Sequence, residues 1–155
     1  MLNRARILGT MKRLGVVAIL ILAFGGIADS AYIAQHEVGD TPTVCSINSL
    51  SGCNVVVASP YSYLFGIPIS EYGVLFYGII FVLAALELVI FDQLLRRSLM
   101  WASLLGAAVS LYLTVVQVLI IRALCIYCLA STVIALLIFV LALHIHVKHR
   151  GQVHV

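Results

Sequence analysis

The chain has 155 residues, of which 63% are hydrophobic and only 10% charged, whereas a water-soluble domain carries about a quarter charged residues. The net charge of +3 reflects basic residues at the ends of apolar blocks, which is a sign of membrane orientation and not of a nucleic-acid surface. The apolar residues form four long blocks in place of short alternating runs, so the expected class is all-α and membrane-embedded.

The first block, residues 14–33, follows Arg4, Arg6, Lys12 and Arg13. About 20 apolar residues suffice to cross a hydrocarbon core as a helix. A basic start, an apolar run and the small residues of Gly26-Ile27-Ala28 also fit a cleaved signal peptide. The run is long for that purpose and Asp29 would stand next to the cut, so the block is expected to stay as a span. After it comes a segment at about residues 35–67. It opens with the polar Gln35, His36 and Glu37 and turns at Gly39-Asp40-Thr41-Pro42. Small, turn-forming residues between Cys45 and Cys53, among them Asn48, Ser49, Ser51 and Gly52, predict a mobile loop. Asn54 is placed to cap a short helix over Val55 to Ala58, which Pro60 limits. That helix is too short to span and is expected to lie in the interface as a roof.

Three further spans are predicted, at residues 68–91, 99–121 and 124–143. The last two hold no Asp, Glu, Lys or Arg. Arg96 and Arg97 lie between the second and third spans, and Lys148 and Arg150 follow the fourth. The 35–67 segment has no Lys or Arg, and only Arg122 breaks the bias. By the positive-inside rule both termini face the cytoplasm and the cysteine-bearing loop lies outside, in a cell membrane. The expected architecture is one membrane domain over residues 1–155, a transmembrane four-helix bundle with an extracytoplasmic loop and a short interfacial helix. A weak internal repeat places Gly26, Ala28, Ser30 and Tyr32 against Gly106, Ala108, Ser110 and Tyr112, 80 residues on, with Cys45 over Cys125. Such Gly-xxx-Ser faces allow close packing in membranes and suggest that the first and third spans meet.

The chemistry lies in four cysteines, Cys45, Cys53, Cys125 and Cys128, all mapped to the outer half, where disulfides persist. Three pairings are possible, and closure distance favours Cys45–Cys53 with Cys125–Cys128. The C-x-x-C at Cys125-Ile126-Tyr127-Cys128 starts the fourth span. In a first helical turn the unpaired N–H groups and the helix dipole favour a thiolate, and Arg122 stands three residues before it. Both raise the reactive fraction of Cys125. A zinc site is disfavoured, because the second pair is spread over seven intervening residues of a flexible loop. Two static disulfides in a non-enzymatic membrane subunit are the reading of another class, though a bundle in lipid has less need of staples than a small secreted domain.

The order of these motifs resembles the vitamin K epoxide reductase family in its short prokaryotic form. The loop pair Cys45/Cys53, Ser59 six residues later, the Ser-Leu-Tyr-Leu run at Ser110 to Leu113, and Leu124-Cys125-x-x-Cys128 carry the resemblance, which extends from Gly26 to about Ala135. It implies that Cys125 and Cys128 form the active site beside a quinone of the ubiquinone or menaquinone type, with Cys128 facing the ring. Cys125 would exchange with Cys53, and Cys45 would meet the incoming thiol protein. It also implies Ser59 in the quinone pocket, and Thr132 and the Ile69-Ser70-Glu71 stretch are the nearest equivalents of the family's quinone-holding polar residues. The thioredoxin-like domain fused to many bacterial members is missing from this sequence, so a separate thioredoxin-like protein is the expected partner. The function so implied is a thiol:quinone oxidoreductase that makes disulfides for exported proteins, with quinone epoxide reduction as the alternative. Asp29 and Glu87 read as interfacial acids, Glu71 as a solvated helix-start acid, and Tyr61, Tyr63, Tyr72 and Tyr127 as an aromatic belt.

Overall fold

A computed structural model describes residues 2–38, 52–90 and 92–153. Cys45 and the turn expected at Gly39 to Pro42 lie outside the described residues, as do the side chains of Arg4, Arg6, Lys12, Lys148 and Arg150. The chain forms α1 (Leu2–Val38), α2 (Cys53–Val57), a 3-10 turn (Pro60–Ser62), the strands β1 (Tyr63–Leu64) and β2 (Ile67–Pro68), then α3 (Ile69–Ile90), α4 (Gln93–Val116), a π turn (Gln117–Ile121) and α5 (Ile126–Val153). Four helical stretches are long and apolar enough to cross a membrane: Arg13–Glu37, Ile69–Ile90, Gln93–Ile121 and Ile126–Val147. The protein is thus a four-helix membrane bundle.

The helices form a ring, with α1 against α3 and α5, and α4 against α3 and α5. Ile19, Ala23, Tyr77, Ile80, Ala84, Leu99, Ile138 and Ala142 fill its axis. Leu14, Phe24, Leu75, Val89, Leu119 and Val140 point outward and are exposed. That costs nothing in lipid, where association depends on close packing and not on removing apolar surface from water. The two small-residue faces of the repeat supply such packing, but not to each other. A Cβ built on Gly26 would lie 2.6 Å from the Tyr77 ring, and one on Gly106 would run into the Phe76 ring. The adjacent rings Phe76 and Tyr77 of α3 therefore occupy the two glycine notches, one on α1 and one on α4. The two faces therefore do not meet each other, contrary to the expectation from the repeat.

Several boundaries differ from expectation, two of them for evident local reasons. Helix α1 carries Gln35, His36 and Glu37 within it, since no residue before Gly39 breaks it. Helix α4 starts six residues before the expected span because Asp92 caps it, accepting from the Leu94 N–H at 3.2 Å. Arg96 is therefore not a loop residue. It lies in the first turns of α4, buried, with Nε donating to Glu87 Oε1 at 2.8 Å. Glu87, expected at the interface, is buried with it. Breaking a buried pair of this kind costs about 3–5 kcal/mol, because the remaining charge is left without its partner. The bond thus ties the end of α3 to the start of α4.

The roof is the other local feature. Helix α2 starts at Cys53, with Gly52 and not Asn54 as its N-cap. Pro60 then opens the 3-10 turn and a short hairpin that was not anticipated. Its two-residue turn, Phe65-Gly66, has φ of 55° and 80°, the double positive φ that suits the twist of a tight hairpin.

Candidate active site

Cysteine placement begins with how α4 ends. The π turn closes on Arg122, whose φ of 53° and ψ of 30° put it in the left-handed region. A non-glycine residue in that region stops the helix and redirects the chain. Ala123 and Leu124 then run outside any helix, and Cys125 stands immediately before α5. Cys125 is thus a capping residue and not part of the first turn. Its sulfur accepts from the backbone N–H groups of Tyr127 and Cys128, two of the donors that every helix start leaves free.

The roof is fitted against this same segment. A Cβ on Gly52 would lie 2.8 Å from the Ala123 Cβ and 3.0 Å from the Leu124 backbone N and O. Only glycine lets the loop come this close, and the approach packs Cys53 with Cys125 and Val56 in one small cluster. Both cysteines are 1% exposed. Cys53 is disulfide-bonded, while Cys125 and Cys128 are free thiols. A disulfide on the loop side beside a dithiol on the helix side is the arrangement in which thiol–disulfide exchange can pass electrons.

The two helix thiols differ in role. The Cys128 S–H donates to the Cys125 sulfur, which brings the Cys125 thiol down to about 7 against the opposing effects of burial and of the Asp29 charge. Arg122 is exposed and is not among the groups that act on it. This replaces the expected arginine effect with a hydrogen bond inside the C-x-x-C itself. Alkylation of Cys125 by iodoacetamide, followed peptide by peptide, should therefore rise with pH through a midpoint near 7 and level off above it, since the thiolate is the reactive form. Cys128→Ala should move that midpoint up toward the ordinary thiol value of about 8.5. An unchanged midpoint in the variant would show that the hydrogen bond is not the cause.

Cys128 also faces a cavity of about 500 Å³ at the cysteine-bearing end of the bundle, with walls from all four long helices and with Val56, Tyr61 and Ser62 of the roof also lining it. The lining is overwhelmingly apolar, from Ile33, Phe76, Leu105, Val109 and Leu113 among others. Polar groups are few and placed. Thr132 Oγ1 bonds Thr114 Oγ1 at 2.9 Å and donates to the Cys128 carbonyl at 2.9 Å. Tyr77 donates to the Ser131 carbonyl at 2.8 Å. Glu37 accepts from Ser70. Two wall atoms, Asp29 Oδ2 and Gln117 Oε1, are buried with no hydrogen-bond partner. A flat apolar ring with polar groups at its ends fits such a cavity in volume and chemistry.

The site residues read from the sequence are distributed as follows. Cys53, Cys125 and Cys128 come together, Thr132 is in the wall, and Cys45 lies outside the described residues. Ser59 stands behind the wall. Its Oγ donates to the Val56 carbonyl at 2.7 Å and meets the Ser62 Oγ at 3.2 Å, and Ser62 is the serine that lines the cavity. Of the Ile69-Ser70-Glu71 stretch, Ile69 and Ser70 line it and Glu71 is exposed. Tyr127 packs on Tyr32, with ring centroids 5.1 Å apart. Asp29, taken from sequence as interfacial, is a cavity residue. Its signal was available, since an acid within a span is costly and rarely idle. Gln117 carried no such signal.

A comparison with curated proteins finds no match. A family model does match, over residues 17–143, and its description is the vitamin K epoxide reductase family. The match takes in the second and third spans whole, most of the first and fourth, the roof, and Cys128, Thr132 and the Phe76–Tyr77 pair of the cavity. On that coverage and this geometry, the chain belongs to the vitamin K epoxide reductase family.

Proposed function

We propose that the protein is a membrane thiol:quinone oxidoreductase that draws electrons from a separate thioredoxin-like protein and so supplies disulfides to exported proteins. One observation carries this reading: Cys128 stands in the wall of a 500 Å³ apolar cavity while its partner Cys125 packs against Cys53. A sulfur pair so placed has one face to a protein disulfide and the other to a lipid-soluble acceptor. Family membership supports redox chemistry in general. The specific donor and acceptor are our inference.

In this scheme Cys45 is the bonded partner of Cys53 and meets the donor. The donor's dithiol is oxidised to a disulfide and the loop pair is reduced. The loop dithiol then attacks the Cys125–Cys128 disulfide, closing its own bond and leaving the helix pair reduced. That exchange needs Cys53 within reach of Cys125, which the Gly52 contact secures. The Cys125 and Cys128 S–H groups are the two halves of the dithiol that is consumed next. A quinone in the cavity would supply a two-electron oxidant: the S–S bond re-forms, and two electrons and two protons leave the thiols for the ring oxygens. Asp29, Gln117 and Thr132 are the polar residues that line its place.

The basic-residue bias supports a loop outside a cell membrane with both termini cytoplasmic. Right-side-out vesicles with quinone in the bilayer should therefore bleach the quinone absorbance when a reduced thioredoxin-like protein is added outside. Inverted vesicles should not. Bleaching in neither preparation would remove the activity, and bleaching in inverted vesicles alone would reverse the topology. The family's description favours one further arm, in which a quinone epoxide replaces the quinone and its consumption is followed chromatographically.

A further inference from the structure

Gln117 opens the π turn at the end of α4. Such turns place an extra residue in a helix and are frequent at functional sites. This one leaves an amide side chain only 5% exposed, in the wall of the cavity that Cys128 shares. Its N–H donates to the Cys128 sulfur. Its Oε1 is buried and has no partner. An unpaired buried amide oxygen is costly, and one carried by a residue of a cavity wall marks a place where a ligand donor belongs.

The chemistry of that oxygen restricts the donor. A carboxamide oxygen only accepts. The ring oxygens of a quinone also only accept, whereas those of the reduced ring carry O–H groups and donate. We propose that Gln117 is a positioning residue with two contacts, holding the Cys128 sulfur through its N–H and preferring the reduced, hydroxyl-bearing ring through Oε1. This rests on the thiol:quinone reading above. The balance is simple. Two S–H bonds break, one S–S bond forms, the dithiol is oxidised, and two electrons and two protons turn two ring carbonyls into hydroxyls. The Oε1 contact is absent at the start and forms as O–H forms, so it favours the reduced ring over the oxidised one.

The test is binding without turnover. Cys125→Ser protein cannot close the C-x-x-C disulfide but keeps Cys128 and Gln117. Equilibrium dialysis in detergent, under anaerobic conditions, measures its affinity for a fully substituted decyl benzoquinone and for the corresponding hydroquinone. Adding Gln117→Met should weaken hydroquinone binding about tenfold, from one lost hydrogen bond and an unmatched hydroxyl, and quinone binding by less than about twofold. Adding Gln117→Glu instead keeps an acceptor oxygen and should keep the preference for hydroquinone. Equal losses for the two rings in Gln117→Met, no loss for either, or a Gln117→Glu protein as indifferent as Gln117→Met would each overturn the assignment. A Cys125→Ser parent that binds neither ring would overturn the quinone reading itself, and the role of Gln117 with it.

Discussion

Replacing Cys128 with serine is expected to lower thiol-driven quinone reduction by at least about a thousandfold, the scale on which removal of a reacting nucleophile is felt. The reason is stoichiometric. Without the second sulfur no disulfide can close, so the pair of electrons held by Cys125 has no route out. Serine is close to cysteine in size and can still donate to the Cys125 sulfur, so the bundle and the cavity should persist. Cys125→Ser should be equally inactive. The two variants differ in what they trap. In Cys128→Ser the remaining Cys125 is packed with Cys53 at 1% exposure for each; its thiolate attacks the loop disulfide at Cys53 and expels the other loop sulfur as a thiol, and without Cys128 nothing on the helix side resolves the mixed disulfide. Mass spectrometry of non-reduced peptides should find a Cys53–Cys125 linkage in that variant. Quinone reduction at the parental rate by Cys128→Ser protein would remove the active-site assignment.

Removing the loop pair should divide donors by size. In the Cys45→Ser, Cys53→Ser double variant, quinone reduction driven by a thioredoxin-like protein should fall at least about a hundredfold, while a small membrane-permeant dithiol keeps much of its rate. Access is the cause. Exchange requires a thiolate in line with the sulfur it attacks, and Cys125 lies 1% exposed against Cys53 and Val56 of α2, where a protein surface cannot follow. The small dithiol can. The measurement uses two donors and one quinone on a single purified protein. Equal loss with both donors would mean that the loop cysteines shape the site instead of carrying electrons. Equal retention would mean that a protein donor reaches Cys125 directly.

Much of this was legible in the chain. Four spans, their approximate bounds, the C-x-x-C at the head of the last one and the wider pair before the second are all matters of local composition. A hydrocarbon solvent makes that information unusually sharp, because a backbone in lipid must satisfy itself and only a long apolar helix does so alone. The family resemblance added the pairing of roles among the cysteines, for the same reason that motif order survives in one dimension.

What only the tertiary structure decided depends on which side chains from distant segments meet. Glu87 and Arg96 each read as polar residues near a membrane surface, and they become a buried pair only because Asp92 caps α4 early enough to turn Arg96 inward. Gly26 and Gly106 read as two faces for each other, yet Phe76 and Tyr77 of α3 fill both notches. The cavity itself has no local signature. Its walls come from four helices and a roof, and Asp29 and Gln117 acquire meaning only from the atoms they lack as partners. Hydropathy is a sum along the chain, and so it specifies where the helices are. An unpaired oxygen beside a sulfur is a relation between positions far apart in the chain, and only the packed bundle defines it.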